Sequence, residues 1–271
     1  MTTADMKRRL ALPLGLRTHL VALYALVYFI VCRKLDGRVS AAELACGFGL
    51  AALLQLGYLI NKLYDGAEDA FNGEEDPFAG PGRNAWRLGL AAAFGCVCCA
   101  LALLRPALLP VLVYSAAVAF AYSHPLVRLK RALLLKPLIN TLNLFLVSIM
   151  SPVLLADSGA WHYAPQLLAG SYKLLLMVLC LTVLFDVRDL RGDALAGLRT
   201  LPSVFGRTPV LAAMIFLSLA SGLADLAAGL YVSSAAQLAI TAFALGALKE
   251  RGRFYYDALV LAELFFLALM F

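Results

Sequence analysis

Long apolar runs separated by short polar segments dominate the chain, at about 10–33, 41–60, 88–104, 106–121, 132–156, 167–185, 208–230, 232–248 and 254–271. Most reach the ~17–25 residues that a helix needs to cross a bilayer, while 106–121, 232–248 and 254–271 are short or marginal. The pattern predicts an all-α, polytopic membrane protein of about nine transmembrane helices, forming a single membrane-embedded domain over residues 1–271. "MKRR" precedes the first run, but that run is long and lacks a clear small-residue cleavage site. It reads as a retained helix rather than a signal peptide.

Composition agrees: 62% of residues are hydrophobic and only 15% charged, far from the balance of a soluble domain. Charge changes the picture by fixing orientation. With the N-terminus in the cytoplasm, all but five of the 23 Lys and Arg residues fall on the inner side, the exceptions being Arg33, Lys34, Arg38, Arg105 and Lys173. The expected location is therefore a membrane such as the bacterial inner membrane, with the N-terminus and the motif-bearing loops cytoplasmic. Topology and contact with anionic membrane lipid account for the net charge of +6, and no nucleic-acid partner is required.

The carboxylates are still less evenly spread. More than half of the 17 lie in two stretches, 65–76 and 186–193, each following an apolar run. On a helix, Asn61, Asp65 and Asp69 at i, i+4 and i+8 form one stripe, and Asp186, Asp189 and Asp193 at i, i+3 and i+7 form another. Stacked carboxylates repel one another unless something positive sits among them. A hard divalent cation with oxygen ligands meets that need, and Mg²⁺ combines a few carboxylates with water and substrate phosphate. One such cluster alone would be an ordinary solvated helix end. Two clusters with helical spacing, on the same side and beside basic loops, point to a shared site. A transporter is the alternative for acids in a membrane chain, but these acids close helices rather than sit mid-span. Asp225 and Glu263 are the main charges inside helix cores, and Asp225 can be placed near an outer helix end.

The motifs carry a resemblance. "NKLYDGAED" looks like the first aspartate-rich motif, N-x-x-x-D-x-x-x-D, of the UbiA-type intramembrane prenyltransferases. "DVRDLRGDALAGLRTLPSVFG" is similar to the second motif and its trailing loop, and "AYSHPLVRLKR" resembles the basic loop between the fourth and fifth helices. Lys62 stands where Asp is frequent in the family. The likeness spans the chain and implies a Mg²⁺-dependent transfer of an isoprenyl group from an isoprenyl diphosphate to an acceptor, which the sequence does not identify. It also admits a terpene cyclase, which needs no acceptor. Asn61, Asp65 and Asp69 would hold one metal, and Asp189 and Asp193, helped by Asp186, the other. Arg128 and Lys130 would neutralise the leaving diphosphate, with Tyr122 as a phenolic donor.

Tyr58 lies seven residues before Asp65, on nearly the same helix face, where its ring could stabilise an allylic cation; core aromatic packing is the plainer role. Asn140, Thr141 and Asn143 form a polar patch facing either an acceptor cavity or neighbouring helices. The Gly-, Pro- and charge-rich stretch 70–87 reads as a loop able to cover the diphosphate, or as a plain linker. "CVCC" at 96–99 has no histidine nearby and reads as apolar filling. Asp65 and Asp189 lie close to half the chain apart, each after the second helix of a four-helix group that ends in a basic loop. This spacing predicts two pseudo-repeated four-helix groups plus one helix, with the site between them.

Overall fold

The computed structural model describes residues 17–71, 76, 78, 80–122, 124, 127, 129–156 and 164–270. The described part of each apolar run falls largely on helix, and no strand occurs among the described residues. The chain forms α1 (Thr18–Asp36), α2 (Ala41–Phe71), α3 (Arg83–Leu104), α4 (Leu109–Ala121), α5 (Leu135–Asn143), α6 (Ser151–Leu155), α7 (Ala164–Leu195), α8 (Leu201–Phe205), α9 (Arg207–Ala227), α10 (Tyr231–Gly246) and α11 (Arg253–Met270). A π-helical stretch, Leu144–Met150, joins α5 to α6. Pro152 lacks the N–H that an α-helix would direct at Ser148, and the Ser151 hydroxyl turns back to donate to the Leu146 carbonyl at 3.0 Å.

Among the described residues, five helices are long and apolar enough to cross a membrane: α1, Ala41–Gly66 of α2, α3, Leu135–Leu155, and α9. Two shorter apolar helices, Pro106–Ala121 and Tyr231–Gly246, match runs that the sequence already marks as short. α2 and α7 are the longest, at 31 and 32 residues. At 1.5 Å per residue each is about 47 Å long, against the ~30 Å of a hydrocarbon core. Both therefore run on as helix through their acidic motifs, past the ends of the apolar runs at 60 and 185.

Two hydrophobic cores share α1. Leu23, Val27, Ile30 and Val31 pack with α7, α9, α10 and α11. Tyr28 and Cys32, on another face, pack with α2, α3 and α4. A helix apolar all round is stable only when enclosed in this way or bathed in lipid. α3 is the opposite case, with exposed Leu88, Leu103 and Leu104 and exposed Cys96 and Cys99. Without a hydrophobic force between helices in lipid, close approach depends on small residues. Gly49 shows this: an added Cβ would lie 2.7 Å from Leu101 of α3.

α3 opens at Arg83, earlier than the apolar run at 88 suggests. The Arg83 guanidinium donates to the Leu63 carbonyl at 3.1 Å and pairs with Asp76 at 3.2 Å. That end of the 70–87 stretch is thus tied to α2, while Glu74 and Glu75 lie outside the described residues.

Candidate active site

The ends of α2 and α7 meet over a cavity of about 100 Å³ whose lining includes Tyr58, Asn61, Asp65, Tyr122, Lys130, Lys136, Asn140, Asp189 and Asp193. Residues from both acidic stripes, separated by half the chain, therefore face one space. Asp69 continues the α2 stripe, but its side chain lies outside the described set, as does Arg128 altogether.

Each acid arrives with a cation. Lys130 sits in the 3-10 turn Leu129–Arg131, and its Nζ donates to Asp65 Oδ1 at 2.6 Å. The Lys130 backbone N–H bonds the Tyr122 carbonyl at 3.3 Å, which folds the basic loop back against the end of α4. Lys130 is only 3% exposed. Burial pushes the Tyr122 phenol well above its ordinary range, so it stays a protonated donor. Lys136, in the first turn of α5, reaches Asp186 Oδ1 at 2.7 Å and Asp193 Oδ2 at 3.2 Å. Asp186 is fully buried, and its pairing with Lys136 is a contact of charges rather than a well-aimed hydrogen bond.

Asp189 is held differently. The neighbouring Arg188 donates Nε to Oδ1 at 2.7 Å and an Nη to Oδ2 at 2.8 Å, a two-pronged pair. Arg188 also stacks over the Phe185 ring at 4.7 Å and lies 3.5 Å from Asp257 of α11, which in turn lies 3.4 Å from His19 of α1. This chain joins α1, α7 and α11 behind the site.

The loop after the second motif has a local cause. Gly197 takes a left-handed φ of +70, and the Leu198 N–H returns to the Asp193 carbonyl at 2.8 Å, closing α7. Thr200 and Ser203 then form a capping box that starts α8. "GLRTLP" is therefore a helix stop followed directly by a helix start, and it places Leu198 in the cavity wall.

The polar patch on α5 divides. Asn140 and Asn143 face a second, small cavity beside the first, shared with Tyr58, Asn61 and Tyr122. Thr141 turns its hydroxyl back to the Pro137 carbonyl at 2.8 Å. At the other end of the bundle, a cavity of about 1170 Å³ lies between α1, α7, α10 and α11. Its wall continues the same two helices, Val27 and Val31 one to two turns beyond Leu23, and Met177 and Leu174 directly beyond Val178. Asp225 is a buried partner of Lys173 and accepts the Ser233 hydroxyl at 2.5 Å, while Glu263 lies fully buried at the large cavity.

Oxygen donors dominate the acid site, and three of its buried oxygens, Asn61 Oδ1 and both carboxylate oxygens of Asp186, have no hydrogen-bond partner among the described residues. That donor set fits a hard divalent cation such as Mg²⁺. Among the described residues, no three His, Cys, Asp or Glu side chains are already gathered as a metal cage. The lysines hold that ground instead. Lys136, Arg188 and Asp257 are the site residues that sequence reasoning passed over. The one signal available for Lys136 was its place in a basic loop.

A family model described as the UbiA prenyltransferase family matches residues 22–271. The chain belongs to that family, and so is an integral membrane enzyme of prenyltransferase type. Neither the curated proteins nor the solved structures contain a significant match.

Proposed function

We propose that this protein transfers an isoprenyl group from an isoprenyl diphosphate to a lipophilic acceptor within the membrane. The observation that carries the reading is the meeting of the α2 and α7 acid stripes on one cavity, with Lys130, Lys136 and Tyr122 among them. Acids alone would repel a diphosphate, and bases alone would not need six aligned carboxylate and amide groups. A site for a metal–diphosphate complex needs both.

In this reading Asn61, Asp65 and Asp69 hold one Mg²⁺, and Asp189 and Asp193, with Asp186, hold the other. Bound there, Mg²⁺ supplies neutralisation of the negative charge that grows on the leaving diphosphate. Lys130 and Arg128 bind the same oxygens, and the protonated Tyr122 donates to them. The allylic C–O bond breaks with its electron pair going to the diphosphate. The acceptor's nucleophilic atom then bonds to the freed carbon and gives up its proton to the departing diphosphate. Tyr58 borders both the acid cavity and the small cavity holding Asn140 and Asn143, a placement suited to shielding the cationic carbon while the acceptor enters. The prenyl chain lies along α1 and α7 toward the large apolar cavity. The excess of basic residues on the motif side supports a cytoplasmic active face.

The test is incubation of purified protein with isoprenyl diphosphates of several lengths, with and without candidate acceptors, in Mg²⁺ or in excess chelator. Diphosphate release that requires both metal and acceptor is expected. Full turnover in chelator would overturn the reading, and cyclic terpenes formed from diphosphate alone would replace transfer with cyclisation.

A further inference from the structure

Lys136 occupies an unexpected place for a lysine. It lies in the first turn of α5, where the helix dipole disfavours a cation. The residue before that helix, Leu134, has a φ of +70, a left-handed conformation that is a genuine outlier for a bulky side chain. Two unfavourable local features therefore deliver one ammonium group to Asp186 and Asp193, at 2.7 and 3.2 Å. Those two acids are a full i, i+7 step apart on α7, and Lys136 bridges them.

We infer that Lys136 is an exchangeable counter-cation of the second acidic motif. In the metal-free protein it holds Asp186 and Asp193 together. When a divalent cation and a diphosphate are bound, it leaves the carboxylates and binds phosphate oxygens. The inference rests on the metal–diphosphate reading above. Its physical basis is exclusion: an ammonium in contact with a carboxylate oxygen and a divalent cation on the same oxygen repel one another, so one must yield. The lysine can yield because its head is a point charge on a flexible four-carbon stem. It also lines the cavity that Lys130, Tyr122 and Asn61 share, so a nearby anion would meet it there.

This assignment predicts effects of opposite sign from one substitution. In the full chain in detergent, Mn²⁺ alone is titrated by electron paramagnetic resonance, and inorganic pyrophosphate is then titrated in the presence of Mn²⁺. Lys136→Gln removes the competitor, so Mn²⁺ should bind about 10-fold more tightly without pyrophosphate. Loss of a charge-assisted contact should weaken pyrophosphate binding roughly 10- to 100-fold. Lys136→Arg, which keeps the charge, should stay within about 3-fold of wild type for Mn²⁺. Amine-reactive labelling of the wild-type protein gives the same answer without mutation. Lys136 should become more reactive when Mn²⁺ is added and protected again when pyrophosphate follows.

Asp189→Asn separates this inference from the reading beneath it. If wild type and Asp189→Asn bind Mn²⁺ equally, the metal reading falls, and the lysine exchange with it. If Asp189→Asn loses Mn²⁺ while Lys136→Gln binds it no more tightly than wild type, the exchange alone is overturned. Unchanged Lys136 labelling through both additions would also overturn it.

Discussion

The two acidic stripes end helices of nearly equal length, yet they meet water and charge in different ways. Asp65 on α2 keeps 21% of its side chain exposed and pairs with a lysine delivered by a loop. Asp186, Asp189 and Asp193 on α7 are all buried and are held by Lys136 and Arg188, the latter backed by Asp257 from α11. The difference separates two tasks. Arg188 and Asp257 wire the α7 half into the bundle, with Lys136 as its one exchangeable contact, while the α2 half keeps a more exposed and adjustable edge.

The strongest way to break this comparison is to show that the halves do not share one reaction. Asp65→Ala and Asp189→Ala should each lower diphosphate release by roughly 10³-fold or more, and the double variant should be little worse, because residues acting as one unit are strongly non-additive. Steady-state diphosphate release in matched detergent reads this out. Multiplicative losses would mean two independent acidic surfaces. An intermediate effect is expected on stability. Arg188→Met takes the two-pronged partner from buried Asp189 and one contact from Asp257, at a cost of about 3–5 kcal/mol, seen as a lower thermal midpoint. Arg83→Met near the α2 motif, whose pair with Asp76 is partly exposed, should cost about 1 kcal/mol or less. Equal losses would erase the contrast between a wired and an adjustable half. The smallest effect concerns Tyr58 between the two cavities. Tyr58→Phe should leave turnover nearly intact and Tyr58→Leu should slow it about 3- to 30-fold, if the ring face is what matters. A large loss in Tyr58→Phe would assign the role to the hydroxyl.

Much of the fold was legible because lipid enforces a simple rule: the spanning segments must be apolar and helical. The described parts of the apolar runs therefore fall largely on helices, and the i, i+4 and i, i+7 spacings place the acids on coherent stripes. What periodicity does not carry is partner choice across distant elements. Lys130 reaches back 65 residues to Asp65, and Lys136 reaches forward 57 to Asp193. In the sequence Lys136 looks like an ordinary inner-side anchor, and Lys130 is marked for the diphosphate but not for Asp65. Thr141 looks equivalent to Asn140 and Asn143 in the sequence, yet its hydroxyl satisfies its own helix while the two asparagines line the small cavity. The π stretch is visible only in hindsight, at the Ser151–Pro152 pair.

The contact between Arg188 and Asp257 has a consequence for how the protein is made. Arg188 orients Asp189, but one of its own partners belongs to α11, which leaves the ribosome much later. At ~5–20 residues per second, roughly 3–14 s separate synthesis of the motif from synthesis of Asp257. During that interval Arg188 has Asp189 as a partner but not yet Asp257. The active site is therefore completed not when its own residues have been made, but when the helix behind them docks.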